Sequence, residues 1–151
     1  MEIRARRAVF HAALAVAAAA AIGGCQTMER MGDRMGIGGG SQVTLSGAQE
    51  VPPVQTNASG GGRIRIADDR TVSGSVSFKG VEPTMAHIHL APKGANGPVI
   101  VPLVRKGDTF VVPDGAKLTE AQYQAYKAGN LYVNVHSAQH PGGEIRGQIM
   151  P

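Results

Sequence analysis

Residues 62–79 alternate between two classes of side chain, and this alternation restricts the segment to β structure. The letters RIRI at 63–66 and VSGSVSF at 72–78 place apolar or small residues at every second position. Successive side chains of a strand point to opposite faces, so each stretch has one buried face and one polar face. The link between them reads ADDR, which is typical of a turn. The segment therefore predicts an antiparallel hairpin.

Similar short patterns recur through residues 42–151. We expect further strands at 43–48, 84–90, 98–104, 108–112, 131–136 and 143–149. The chain contains 21 glycines and 9 prolines among its 151 residues, which favours many turns over long helices. The prediction is one all-β domain of about eight short strands, arranged as a sandwich or a Greek-key barrel.

One segment departs from the β pattern and predicts a short helix at about 119–128. Thr119 and Gln122 are spaced as a capping box, and Leu118 is placed to pack on Tyr123. Gly129 then supplies the left-handed residue that often ends a helix.

The net charge of +4 does not indicate a nucleic-acid partner. Three arginines and one glutamate lie in the first 24 residues, which leaves 12 basic and 10 acidic residues in the rest of the chain. No run of basic residues with interleaved aromatics follows, so the electrostatic pattern of a nucleic-acid binder is missing.

Residues 1–24 predict an export signal, because a basic start is followed by an apolar run and two small residues. The letters AIGGC at 21–25 resemble the lipobox of bacterial lipoproteins. That resemblance implies that Cys25 is lipidated and anchors the chain to a membrane. Gln26 resembles residues that permit outer-membrane sorting. We expect an exported, lipid-anchored protein at the outer membrane, facing the periplasm or the cell surface.

Residues 25–41 predict a flexible tether, because they are rich in glycine and balanced in charge. Met28, Met31 and Met35 are spaced three and four apart, and thioethers suit Cu(I); incidental residues of a linker are the simpler interpretation. Cys25 is the sole cysteine, so the domain at 42–151 has no internal disulfide.

Three segments of this domain resemble the CHRD domain, named from chordin. They are LSGAQEVPP at 45–53, AHIHLAPKGANGPV at 86–99 and the run from Leu118 to Ile149 that contains YVNVHSAQHPGGEIRGQ. The resemblance spans nearly all of residues 43–150. It implies an all-β, immunoglobulin-like Greek-key sandwich or barrel, and it implies little about chemistry.

Four histidines of the domain lie in the two most distinctive of these segments. His87 and His89 are two apart on a predicted strand and leave the same face, and Tyr132, Asn134 and His136 share one face of another strand. The loop after His136 is expected to fold His140 back over it, with Glu144 nearby as a further candidate. These side chains together predict a metal site, which is an inference from the residues and not from the family.

The chemistry of the metal follows from its ligands. Imidazoles without thiolates favour Cu(II), Zn or Ni over Mg or Ca, so copper or zinc is the expected cofactor. Two alternatives stay open: a hydrogen-bonded structural cluster, and a metal-free surface that binds an extracellular protein or another ligand.

Catalysis has few candidates in this sequence. No GxSxG, HExxH or phosphate-cradling glycine loop occurs. A superoxide dismutase-like copper oxidoreductase is the one enzymatic interpretation that the histidines support. We therefore expect a tethered binding or structural module and not an enzyme. Arg146, on the face shared by Glu144 and Gln148, is expected to pair with Glu144 at little gain in stability.

Overall fold

The computed structural model describes residues 39–151, and the account of the fold concerns these residues. They contain nine strands, one α-helix and a short 3-10 turn at Gly47–Gln49. The strands are β1 Ser41–Ser46, β2 Ser59–Ile66, β3 Val72–Lys79, β4 Pro83–Leu90, β5 Val99–Pro102, β6 Val104–Lys106, β7 Thr109–Val111, β8 Leu131–Ser137 and β9 Ile145–Ile149. The helix α1 is Glu120–Lys127. Cys25 and nearly all of the predicted signal and tether lie outside the described residues. No described helix has the length and hydrophobicity needed to cross a bilayer.

All strand pairs are antiparallel, and the strands follow the order β5-β4-β8-β9-β1-β2-β3-β7-β6. The two edge strands, β5 and β6, are separated in the chain by Leu103 alone. The amide of Leu103 donates to the carbonyl of Ala86 in β4 at 3.0 Å. The sheet therefore curls until its edges meet, and the domain is a nearly closed all-β barrel, as the sequence predicted.

The predicted strand at 98–104 is divided in the structure. It forms β5, which pairs with β4, and β6, which pairs with β7. Pro102 ends β5, where its missing amide hydrogen cannot extend the ladder. The division gives nine strands where about eight were expected.

One face of the sheet forms the apolar core. Its members come from every strand except β6, and they also include Leu118 next to the helix. The largest fully buried apolar side chains among them are Leu45, Ile64, Ile88, Phe110, Leu131, Ile145 and Ile149. Burial of such side chains contributes roughly 1.5–3 kcal/mol each, so a domain without a disulfide is stabilised by this core.

The helix forms as the sequence predicted. The Thr119 hydroxyl accepts the amide of Gln122 at 3.3 Å, and the Gln122 side chain accepts the Thr119 amide at 2.8 Å. Gly129, with a φ of 73°, follows the helix and starts the path into β8. The predicted hairpin is also confirmed, because β2 pairs with β3 along its full length across the turn at 67–70.

Candidate metal centre

The pairing of β4 with β8 brings the two histidine segments together. His87 lies opposite Asn134, His89 lies opposite Tyr132, and Met85 lies opposite His136. Ala86 and Ile88 alternate with these residues and are fully buried in the core. The histidines therefore lie on the face opposite the core, as the alternation predicted, and the strand pairing brings the two distant segments together there.

Around His89, Asn134 and His136 this second face is buried and not solvated. His89, His136 and Asn134 are only 7%, 6% and 2% exposed. Loop residues cover the face, and their backbone carbonyls accept hydrogen bonds from the side chains beneath them. The face is consequently a layer of polar side chains covered by loops.

Three imidazoles converge on one point in this layer. One ring nitrogen from each of His87, His89 and His136 lies within 4.8 Å of the other two. His87 Nδ1 and His136 Nε2 are 3.1 Å apart. The ring centroids of the three pairs are separated by 5.0, 5.6 and 6.0 Å. His87 remains partly exposed, so the cluster is reached from solvent on its side.

Two backbone carbonyls set the tautomers of the buried imidazoles. His89 Nδ1 lies 2.9 Å from the carbonyl oxygen of Gly97, and His136 Nδ1 lies 2.9 Å from that of Pro141. A carbonyl oxygen only accepts, so each Nδ1 carries the hydrogen and each Nε2 keeps a lone pair. This is the arrangement by which metal-binding histidines are oriented from outside the ligand set.

All three imidazoles favour their neutral form. Burial lowers the pKa of His87, and the charges of His136 and His89 lower it further. Burial is also the largest cause of the lowered pKa of His89 and of His136, against the hydrogen bonds that these rings donate to the carbonyls of Gly97 and Pro141. Neutral imidazoles are the form that ligates a metal.

The donor set fits a transition metal on two observations. His89 Nε2 is buried and has no hydrogen-bond partner among the described residues, although leaving such a group unpaired costs about 1–3 kcal/mol. Metal–nitrogen bonds of about 2.0–2.1 Å place two ligand nitrogens about 3.3 Å apart in a tetrahedral site. The pair formed by His87 and His136 is already close to that separation. The three ligand nitrogens lie within 4.8 Å of one another, so no pair has to close by more than about 1.5 Å.

His140 and Glu144 do not belong to this group of three. The backbone of His140 forms the turn, because its amide donates to Ser137 Oγ and its carbonyl accepts the amides of Ser137 and Gly143. A carboxylate oxygen of Glu144 accepts the hydroxyl of Thr56 at 2.7 Å. Glu144 is buried at 5% exposure and precedes β9, which begins at Ile145.

The expected pairing of Arg146 with Glu144 is replaced by a different arrangement. Arg146 is 1% exposed. Its guanidinium carbon lies 3.4 Å from the ring centroid of Tyr132, and its nitrogens donate to the carbonyls of Pro92 and Ala95. Arg146 therefore holds the covering loop against β8.

Glu50 is a further buried carboxyl group that the sequence did not single out for the site. It is 5% exposed, and its pKa is raised to about 7, chiefly by burial and against the charge of Arg146 and a hydrogen bond from Asn134. Asn134 also acts to raise the pKa of His89, against the larger effect of burial. The signal in the sequence was weak, because GAQEVPP resembles a strand end followed by prolines.

Comparison with known proteins assigns the family. The model of the CHRD domain matches residues 41–149. No curated protein and no solved structure matches the chain. The match covers well over half of the chain, nearly all of the barrel, and both histidine segments. The chain belongs to the CHRD domain family.

Proposed function

We propose that the chain is a membrane-tethered extracytoplasmic module whose CHRD domain binds one transition metal ion, copper or zinc, through His87, His89 and His136. The family supports the proposal of an extracytoplasmic binding module, because CHRD domains are typically extracellular and membership suggests a binding or structural role. The family is not an enzymatic one, and we propose binding and not catalysis.

One observation carries the metal proposal. Two buried imidazoles are oriented by backbone carbonyls so that each keeps an Nε2 lone pair, and the three rings lie close enough to share one ion, with His136 Nε2 only 3.1 Å from the partly exposed His87. Among the described residues the group contains no carboxylate and no thiolate. A site of three neutral imidazoles favours copper or zinc over magnesium or calcium.

A metal-free interaction module is the second candidate, and one contact favours it. His87 Nδ1 lies 3.1 Å from His136 Nε2, so a hydrogen bond between these rings holds part of the cluster together without an ion. In this alternative the cluster stabilises the fold under a surface that binds an extracellular protein.

Calorimetric titration of the purified full chain with Zn(II) and with Cu(II) separates the two candidates. His87→Gln removes the partly exposed ligand and is expected to weaken binding by about 100-fold or more. His140→Gln is the matched control, because His140 lies outside the group of three. Equal binding by the parent and both variants would overturn the metal proposal and leave the interaction module.

A further inference from the structure

We propose that the imidazole site selects monovalent copper, with the thioether of Met85 as its fourth ligand. This inference rests on the proposed function, since it names the ion and its oxidation state at that same site.

Met85 lies next to two of the three ligands. It is the register partner of His136 across the β4–β8 pair, and it precedes His87 by two residues on the same strand. Side chains of partner residues share a face, with Cβ atoms about 4.5–5.5 Å apart. Met85 and the two histidines therefore lie side by side on the face opposite the core.

Met85 also lies at the open side of the cluster. Its side chain is 47% exposed, whereas its partner His136 is 6% exposed. His87, the neighbour of Met85 along the strand, is the partly exposed member of the three. A methionine has three rotatable bonds and no branch, so the sulfur can turn from solvent towards an ion held by the imidazoles.

The ligand types favour Cu(I) over Zn(II). A thioether is a soft, uncharged ligand that selects Cu(I). Zinc sites in proteins are built from cysteine, histidine and carboxylate ligands. Three imidazoles and one thioether carry no negative charge, so they leave the charge of a bound ion uncompensated. This uncompensated charge is twice as large for Zn(II) as for Cu(I).

The buried cation Arg146 lies near the site and also favours Cu(I) over Zn(II). Tyr132 stacks on His89 with centroids 4.8 Å apart, and the guanidinium carbon of Arg146 lies 3.4 Å from the same centroid. These two distances keep the charge of Arg146 within roughly 8 Å of the His89 ring. Repulsion from Arg146 is twice as large for a dication as for a monocation, and the nearby carboxyl of Glu50 offsets part of it.

Two titrations of the full chain test the proposal. Cu(I) affinity is measured without oxygen by competition with a chromogenic Cu(I) chelator, and Zn(II) affinity is measured by calorimetry. Met85→Leu is expected to weaken Cu(I) binding by about tenfold or more and to change Zn(II) binding by less than about twofold. X-ray absorption of the Cu(I) form is expected to show one sulfur neighbour in the parent and none in the variant.

Met150→Leu is the matched control. Met150 is 57% exposed, and it follows Ile149, which pairs with Leu131 at the other end of β8 from His136. This variant is expected to bind both ions like the parent. Unchanged Cu(I) affinity in Met85→Leu, or an equal loss for both ions, would overturn the role of Met85 while leaving the imidazole site intact. Failure of the parent chain to bind either ion would overturn the proposed function itself, and this inference with it.

Discussion

Glu50 combines burial with the capacity to ionise. The carboxyl group lies next to Asn134 and Arg146 under the loops, and its pKa is raised from 4.5 to about 7. The desolvation cost exceeds the attraction to Arg146, so the folded protein holds the proton more tightly than the unfolded chain does. By linkage, the stability contributed by the neutral form is complete below pH 4.5 and is lost as the pH rises to about 7.

Glu50→Gln is therefore expected to stabilise the protein more at pH 8 than at pH 5. The free energy of unfolding of the variant relative to the parent is expected to rise by as much as about 3 kcal/mol between the two pH values, because each pKa unit corresponds to about 1.4 kcal/mol. Urea unfolding of both proteins at the two pH values measures this difference.

The histidines are the same in variant and parent, so their contribution to the pH dependence of stability cancels in this comparison. Their lowered pKa values act in the opposite direction, since the stability they provide is lost as the pH falls below 6.5. Glu82→Gln, at an exposed side chain, controls for the loss of one negative charge. A constant difference between Glu50→Gln and parent from pH 5 to pH 8 would show that Glu50 ionises like an exposed carboxyl group.

At the scale of the element, the loop at 91–98 connects the barrel to the candidate site. Its backbone accepts hydrogen bonds from Arg146, Gln148 and His89, and the amide of Gly97 donates to the hydroxyl of Tyr132. A Cβ atom at Gly97 would lie 1.9 Å from the carbonyl oxygen of Leu90. The loop thus reaches His89 only because this position has no side chain.

Gly97→Ala is expected to push the loop off β4 and to release the Nδ1 hydrogen of His89 from its acceptor. We expect a loss of about 1–3 kcal/mol in the free energy of unfolding, as for other overpacked positions, together with a loss of about tenfold in metal affinity. Urea unfolding and calorimetric titration with Zn(II) measure the two effects.

Gly142→Ala is the matched control in the loop at 138–144, which covers His136, because a Cβ atom at Gly142 meets nothing within 4 Å. It is expected to behave like the parent in both experiments. Parent-like stability and affinity in Gly97→Ala would mean that the loop relaxes without disturbing His89.

At the scale of the whole molecule, the chain combines an anchor predicted from residues 1–25 with a barrel that needs no disulfide. Cys25 lies outside the described residues, so lipidation stays a prediction based on the AIGGC sequence. An acyl chain inserted into a membrane holds the attached domain in water. The proposed function is therefore that of a metal-binding domain held at a membrane surface by its tether.

Cys25→Ser is expected to move the protein from the membrane fraction to the soluble fraction when it is produced in a bacterium that lipidates such sequences. Mass spectrometry of the mature parent is expected to show an acylated Cys25 at the N-terminus. His140→Gln is the control, since it leaves Cys25 unchanged. An unmodified Cys25 in the parent would contradict the lipoprotein prediction.

The elements were largely predictable because the patterns that define them are local. Strand alternation showed that Ala86 and Ile88 face the core while His87 and His89 face the other way, and the capping box located the helix. The division of the strand at 98–104 was not predicted, because it depends on which neighbours β5 and β6 pair with.

The candidate site was predictable only in part. The loop after His136 was expected to fold His140 back over it. The turn uses the backbone of His140 instead, and its side chain does not join the group of three. The burial of Glu50 and Arg146 depends on loops distant in sequence, so their neighbours in the chain do not reveal it.

The amino-acid sequence by itself determined the β architecture, the short helix and the histidine faces, because each arises from side-chain spacing within a few residues. Only the tertiary structure decided which imidazoles meet and what covers them. His87 and His136 are 49 residues apart in the chain, and their contact depends on the pairing of β4 with β8. Pairing over such distances is set by how the whole core packs, and no local pattern encodes it.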